Sequence, residues 1–156
     1  MSIGIYSAAI KQQLYALCLA FINERIRSAK EAIQLAQSSA NDETKSSAGD
    51  KYETGRAMAQ LEIEKNGSQL AEAMKQRESL EKIQPDHYSS EVQTGSLVVT
   101  NQGNFYISIS AGKLLAGGVE YFAISPVSPL GARLLKQVSG ASMIFNQKEF
   151  LIREIV

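Results

Sequence analysis

Two long segments without proline, one on each side of a short polar stretch, constrain the fold more than any other feature of this sequence. Residues 10–40 and residues 50–83 both have helical periodicity. Residues 41–53, between them, run Asn-Asp-Glu-Thr-Lys-Ser-Ser-Ala-Gly-Asp-Lys-Tyr-Glu. Polar stretches of this kind are where a chain turns back. The pattern therefore predicts an antiparallel α-helical coiled-coil hairpin with residues 41–53 at its tip.

Each predicted helix carries a heptad seam, in which apolar residues recur at steps of three and four, as in coiled coils. The first seam consists of Cys18, Ile22, Ile26, Ala29, Ile33, Ala36 and Ala40. The second consists of Ala59, Ile63, Leu70, Ala73 and Leu80, with Asn66 and Arg77 as polar interruptions. Extra apolar residues widen the first seam near residues 14–22, so we expect that end to rest on another domain or on a partner. Lys11 falls among the charged residues of the other faces.

A change in composition near residue 84 marks a domain boundary. All three prolines and seven of the eleven glycines follow it. We expect the hairpin over residues 1–84, a linker over residues 85–94, and a small α+β domain over residues 95–156. Four or five strands are predicted in that domain, within residues 96–100, 105–110, 119–124, 141–145 and 150–156. Ser128 and Pro129 start its one short helix, as cap and first-turn residue.

Charge and cysteine content exclude several classes of protein. Lys and Arg balance Asp and Glu over the whole chain, 16 against 16, so direct binding to a nucleic-acid backbone is not indicated. The single cysteine, Cys18, excludes an internal disulfide and fits a reducing compartment, with a buried thiol favoured over a nucleophile. Because no leader pattern and no apolar run of about 18 residues is found, a cytoplasmic protein without membrane contact is expected.

Asp50 and Glu53 are the candidate functional side chains of the tip. They are three residues apart at the start of a helix, so they lie on one face. A capping arrangement, with aspartate as N-cap and glutamate at the third helical position, explains the same spacing. Two exposed carboxylates bind magnesium weakly by themselves. On a long hairpin they become useful when they are inserted into a site that already supplies acids.

The tip and the C-terminal half together resemble the bacterial Gre transcript cleavage factors. Residues 48–53, Ala-Gly-Asp-Lys-Tyr-Glu, are similar to the Gly-Asp-x-x-Glu motif that opens the second helix of the family's hairpin. Residues 124–136, Ile-Ser-Pro-Val-Ser-Pro-Leu-Gly-Ala-Arg-Leu-Leu-Lys, and the closing residues 152–156 are similar to the family's FKBP-like domain. The resemblance covers nearly the whole chain in order and length.

This resemblance implies a transcription elongation factor that binds RNA polymerase through its secondary channel. Ser128, Pro129, Leu130 and Gly131 become candidate partner-binding residues. Asp50 and Glu53 would be lent to the polymerase as ligands for its second magnesium ion, so that the 3′ end of backtracked RNA is cleaved. The chain would then have no cofactor of its own, would not itself be an enzyme, and would act as a monomer.

Two alternatives remain open from the sequence. Arg56 stands where the family has an acid, and Asp42 and Glu43 add acids to the tip, which favours a channel-binding regulator or inhibitor without cleavage activity. The other alternative is a coiled-coil adaptor or an isomerase-like module, which would need an aromatic-lined pocket. Strand alternation instead assigns most of the aromatic residues to a core: Phe105, Tyr106, Tyr121, Phe122, Phe145 and Phe150.

Overall fold

The structure, a computed structural model, describes residues 8–45 and 49–156, with only the backbone described for residues 42–45 and 49–52. Its elements in chain order are α1 (Ala8–Lys45), α2 (Gly49–Glu81), β1 (Leu97–Thr100), β2 (Gly103–Ile107), β3 (Gly112–Ala116), β4 (Val119–Ile124), α3 (Pro129–Leu134), β5 (Ser142–Phe145) and β6 (Lys148–Ile155). The predicted α+β class, with two long helices before a sheet and one short helix, is confirmed. The chain divides into two compact units, residues 22–77 and residues 1–21 with 78–156.

The first unit is the helical hairpin, in which α1 and α2 contact each other along the predicted seams. Ile22, Ile26 and Ala29 are buried, whereas the later seam residues of α1 are half-buried. Between the helices, Arg77 Nη1 donates a hydrogen bond to Asn23 Oδ1 at 3.3 Å. Burial thus decreases along α1 toward residue 40, where alanines replace the larger seam residues, and the coiled-coil-like hairpin is confirmed.

A six-stranded sheet forms the centre of the other unit, in the order β3-β4-β2-β1-β6-β5. Only the β2–β4 pair is parallel among these neighbours, with Phe105 opposite Phe122. The prediction of four or five strands was therefore too low, because it lacked β3. On one face of the sheet Phe105, Ile107 and Phe150 form a core cluster with Leu134 of α3.

An irregular register between β1 and β6 lets three apolar residues of β6 reach this same core. The pairing of the two strands shifts between Val99 and Thr100. Without a shift, Ile152 and Ile155 would point to opposite faces, because side chains alternate along a strand. With it, both join Phe150 in the core cluster.

The opposite face of the sheet is covered by the first turns of α1. Leu14 and Cys18 are fully buried, and Cys18 Sγ lies 3.6 Å from Ser108 Oγ, one residue beyond β2. The broad apolar end of α1 therefore rests on the sheet, as the sequence predicts. The cysteine acts as a small buried hydrophobe in this contact.

Residues 85–94, for which the sequence predicts a linker, include Val92, which is joined by backbone hydrogen bonds to the segment between α3 and β5. The Val92 N–H donates to Gln137 O at 2.9 Å, and the Lys136 N–H donates to Val92 O at 2.8 Å. The Val92 side chain belongs to the core cluster and is 1% exposed. This part of the segment therefore packs against the core of the sheet unit.

Candidate functional site

Helical structure extends further into residues 41–53 than the sequence predicts. α1 continues through Lys45 and α2 begins at Gly49, so most of residues 41–53 is helical. The remaining residues, 46–48, lie outside the described part of the chain. Asp42 and Glu43 thus belong to the last turn of α1 instead of a loop.

The two candidate acids lie in the first two turns of α2. Asp50 is the second residue of the helix and Glu53 is the fifth. Acids in the first turn of a helix suit its dipole, and the capping arrangement of Asp50 with Glu53 stays a prediction. Glu53 is exposed to solvent, and the side chain of Asp50 lies outside the described residues.

Of the acids near the tip, only Glu53 has a side chain among the described residues. Among the side chains that the structure describes, no group of three or more His, Cys, Asp or Glu residues could hold a metal ion. A single exposed carboxylate such as Glu53 leaves most of the coordination shell of magnesium to water.

The candidate partner-binding segment, Ser128 to Gly131, forms the start of α3. Ser128 is the N-cap, as predicted, and its Oγ accepts a hydrogen bond from the Gly131 N–H at 3.1 Å. The same hydroxyl donates to Ser125 O at 2.6 Å. A Cβ on Gly131 would lie 2.8 Å from Ser128 Oγ and within 3.0 Å of the Ser125 carbonyl. Local packing thus explains why serine and glycine occupy these two positions.

A highly exposed residue next to this segment is one that the sequence did not single out. Val127, just before the cap, is 88% exposed. Pro129 is exposed as well, whereas Leu130 packs against the core cluster. The surface that a partner could contact here is therefore formed by Val127 and Pro129.

Lys11 is buried, although the sequence places it among the charged faces of the first helix. It is 2% exposed, and its Nζ donates a hydrogen bond to the backbone oxygen of His87 at 2.6 Å. Burial lowers the pKa of Lys11, and the nearby charge of Asp86 opposes that shift. The spacing of Lys11 from Leu14 and Cys18 on one helix face is the signal that could have identified it.

Two more titratable groups, the Cys18 thiol and the Tyr106 hydroxyl, are buried where the first turns of α1 meet the sheet. Burial raises the pKa of the Cys18 thiol to about 11, against the opposing effect of its hydrogen bond with Ser108. Burial also raises the pKa of Tyr106, with smaller contributions from Cys18 and Tyr15. Because burial disfavours the thiolate, Cys18 lacks the property that a nucleophile needs.

The aromatic side chains of the sheet pack on one another. Phe105 lies 5.9 Å from Phe122 and 6.1 Å from Phe150, measured between ring centroids, and Phe145 lies 6.2 Å from Phe150. These four rings fill the core instead of lining a binding cleft. The isomerase alternative needs such a cleft, so this arrangement gives it no support.

Comparison of the chain with protein-family models, curated proteins and solved structures finds no match. None of the helices in the described part of the chain is long and apolar enough to span a membrane.

Proposed function

We propose that this chain is a bacterial transcription elongation factor that binds RNA polymerase through its secondary channel and stimulates cleavage of backtracked RNA. The observation that carries the proposal is the position of Asp50 and Glu53. Both lie in the first two turns of α2, at the end of the hairpin where α1 stops. A narrow two-helix rod with acids at its turn is suited to deliver carboxylates into another protein's cavity.

In this proposal the metal belongs to the partner, and the hairpin lends it ligands. Carboxylate oxygens are the protein ligands that magnesium prefers. When bound, such an ion supplies Lewis acidity and an activated water for phosphodiester hydrolysis. The contribution of this chain is to bring Asp50 and Glu53 to the ion and to hold them on one helix face.

We assign docking on the polymerase to the sheet domain, which the proposal takes to be FKBP-like. Val127 and Pro129 are its candidate contact residues, because they are exposed at the start of α3. Ser128 and Gly131 support this contact indirectly, because they fix the turn that presents it. Monomeric action in the cytoplasm completes the proposal.

The experiment uses backtracked elongation complexes formed with RNA polymerase from the source bacterium. Wild-type protein should accelerate release of the RNA 3′ fragment. Asp50→Asn and Glu53→Gln should each reduce that acceleration by about 100-fold, the order expected when a metal-site contact is lost. Binding to the polymerase, measured by fluorescence anisotropy of labelled protein, should stay within about twofold, since docking is assigned elsewhere.

Glu64→Gln is the matched control. It removes the same charge from an exposed residue of the same helix, eleven positions beyond Glu53. This variant should stimulate cleavage by the polymerase as strongly as the wild type does. Unchanged cleavage with both tip variants, or no binding of wild-type protein to the polymerase, would refute the proposal.

A second candidate function is inhibition of the same polymerase without cleavage. It is favoured by Arg56 and by the helical position of Asp42 and Glu43, which carries two more acids along the last turn of α1. Nucleotide addition by active complexes that are not backtracked separates the two candidates. An inhibitor slows that addition, whereas a cleavage factor leaves it unchanged at concentrations that saturate cleavage.

A further inference from the structure

At one edge of the sheet, the turn between β5 and β6 determines which backbone groups of β5 point outward. β5 is the last strand in the sheet order, and among the described residues its only sheet neighbour is β6. Asn146 and Gln147 join the two strands, both with positive φ, at 50° and 65°. A two-residue turn of this kind makes Phe145 and Lys148 the hydrogen-bonded closing pair. The next pair, Ile144 with Glu149, is then not hydrogen-bonded, so Ile144 presents its N–H and C=O to the free edge.

The other side of β6 agrees with this alternation. Glu149 O accepts hydrogen bonds from Asn101 Nδ2 and from Gln102 Nε2, both at 3.1 Å. These side chains lie in the turn between β1 and β2, on the side of β6 away from β5. The peptide groups of Glu149 therefore point away from β5, as those of Ile144 point away from β6.

Arg133 of α3 covers the outward carbonyl. Its Nη2 donates a hydrogen bond to Ile144 O at 3.1 Å. The strand itself reads Ser-Met-Ile-Phe and has no charge, and Ile144 is 67% exposed. Uncharged edge strands with exposed apolar residues are templates for pairing with another chain. The opposite edge strand differs, because β3 carries Lys113, which is paired with Glu120 at 2.7 Å.

We propose that Arg133 protects the edge of β5 against antiparallel pairing with β5 of a second copy of this chain. A second copy fits the edge because two identical antiparallel strands meet about a two-fold axis, and an uncharged strand places no like charges opposite each other. Arg133 prevents this in two ways. It occupies the acceptor that the incoming strand needs, and it places one guanidinium from each copy beside the shared axis.

The test compares the association of three full-length variants by sedimentation velocity over a range of concentrations. Arg133→Ala should dimerise at a concentration at least about tenfold lower than the wild type, the order expected from losing a charged hydrogen bond. Arg133→Lys keeps the positive charge and should remain monomeric. Arg153→Ala is the matched control, because it removes an equal charge from an exposed residue of β6, and it should also remain monomeric.

A second substitution identifies the surface through which Arg133→Ala associates. Proline at position 144 removes the outward N–H without breaking the ladder to β6, and edge strands tolerate proline at such positions. Arg133→Ala combined with Ile144→Pro should therefore return to the monomer. The proposal is overturned if Arg133→Ala stays as monomeric as Arg153→Ala, or if the added proline leaves its association unchanged. Circular dichroism of each variant checks that the sheet has formed.

Discussion

Gly131→Ala is expected to destabilise the sheet unit strongly, although it adds only one methyl group. The new Cβ would lie 2.8 Å from Ser128 Oγ and 3.0 Å from the carbonyl carbon of Ser125, and still closer to the carbonyl oxygen. Ordinary contacts of a Cβ begin at about 3.4 Å. Since the obstacle is backbone, the loop between β4 and α3 has to move.

The magnitude follows from the contacts that this movement breaks. Overpacking of a buried site costs about 1–3 kcal/mol. Displacing Ser128 also weakens the helix cap, in which Ser128 Oγ accepts from Gly131 N and donates to Ser125 O, at a further cost of about 1 kcal/mol. The free energy of unfolding should therefore decrease by about 2–4 kcal/mol, or roughly 10 °C in Tm for a chain of this length.

Gly67→Ala is the matched control with the opposite sign. Gly67 lies inside α2, and a Cβ built there meets nothing within 4 Å. Alanine at this position should stabilise the helix by about 0.5–1 kcal/mol. Urea unfolding should be followed both by the near-ultraviolet tyrosine signal and by the helical signal, because the two units need not unfold together. A Gly131→Ala protein within about 0.5 kcal/mol of the wild type would refute the reasoning.

Three further predictions concern buried polar groups. Burial lowers the pKa of Lys11 below its ordinary value of 10.5. At a pH between these two values, Lys11 is protonated in the unfolded chain and neutral in the folded chain. Stability of the wild type should rise with pH in this window relative to Lys11→Met, and parallel curves from pH-dependent urea unfolding would contradict this. The pKa of the Cys18 thiol is raised to about 11. At pH 8 this thiol should react with a thiol reagent at least about 100-fold more slowly in the native state than in urea. Equal rates would show that the thiol is accessible in the native state. Gln76 Oε1 is buried beside a cavity of about 330 Å³ and has no donor among the described residues. Gln76→Leu should therefore raise the free energy of unfolding by about 1 kcal/mol. A decrease measured by urea unfolding would indicate that water or a neighbouring donor forms a hydrogen bond with this oxygen.

The hairpin was predictable because its signal is local and periodic. A seam repeating every three and four residues, without proline, specifies both helices and the face that each one buries. The decrease in burial along α1 also follows from the sequence, since alanine replaces isoleucine between Ile33 and Ala40.

The sheet was only partly predictable, because its neighbours are set by long-range packing. Residues 112–116, Gly-Lys-Leu-Leu-Ala, contain no β-branched or aromatic residue, so propensity gave no sign of β3. The pair Gly117 and Gly118, both with positive φ, is a hairpin turn that could have revealed it. Nothing local indicates that β4 pairs in parallel with β2 instead of extending the meander.

Lys11 illustrates a different limit of sequence interpretation. Charged residues are almost never fully buried unless they are paired, so excluding lysine from the seam is the reasonable default. Lys11 is nevertheless inside, because a backbone carbonyl, that of His87, lies where its amine can donate. The spacing along α1 could indicate the face on which Lys11 lies, but it could not indicate the acceptor, which comes from a segment 76 residues away.

The two segments that carry the resemblance to the Gre family differ in how far local packing explains their residues. Ser128 and Gly131 are explained by the start of α3, so their presence says little about a partner. Glu53 is exposed to solvent. The proposed function therefore depends on the tip acids more than on the longer similarity. Variants of Asp50 and Glu53 test activity with the fold intact, whereas variants of Gly131 test the fold itself.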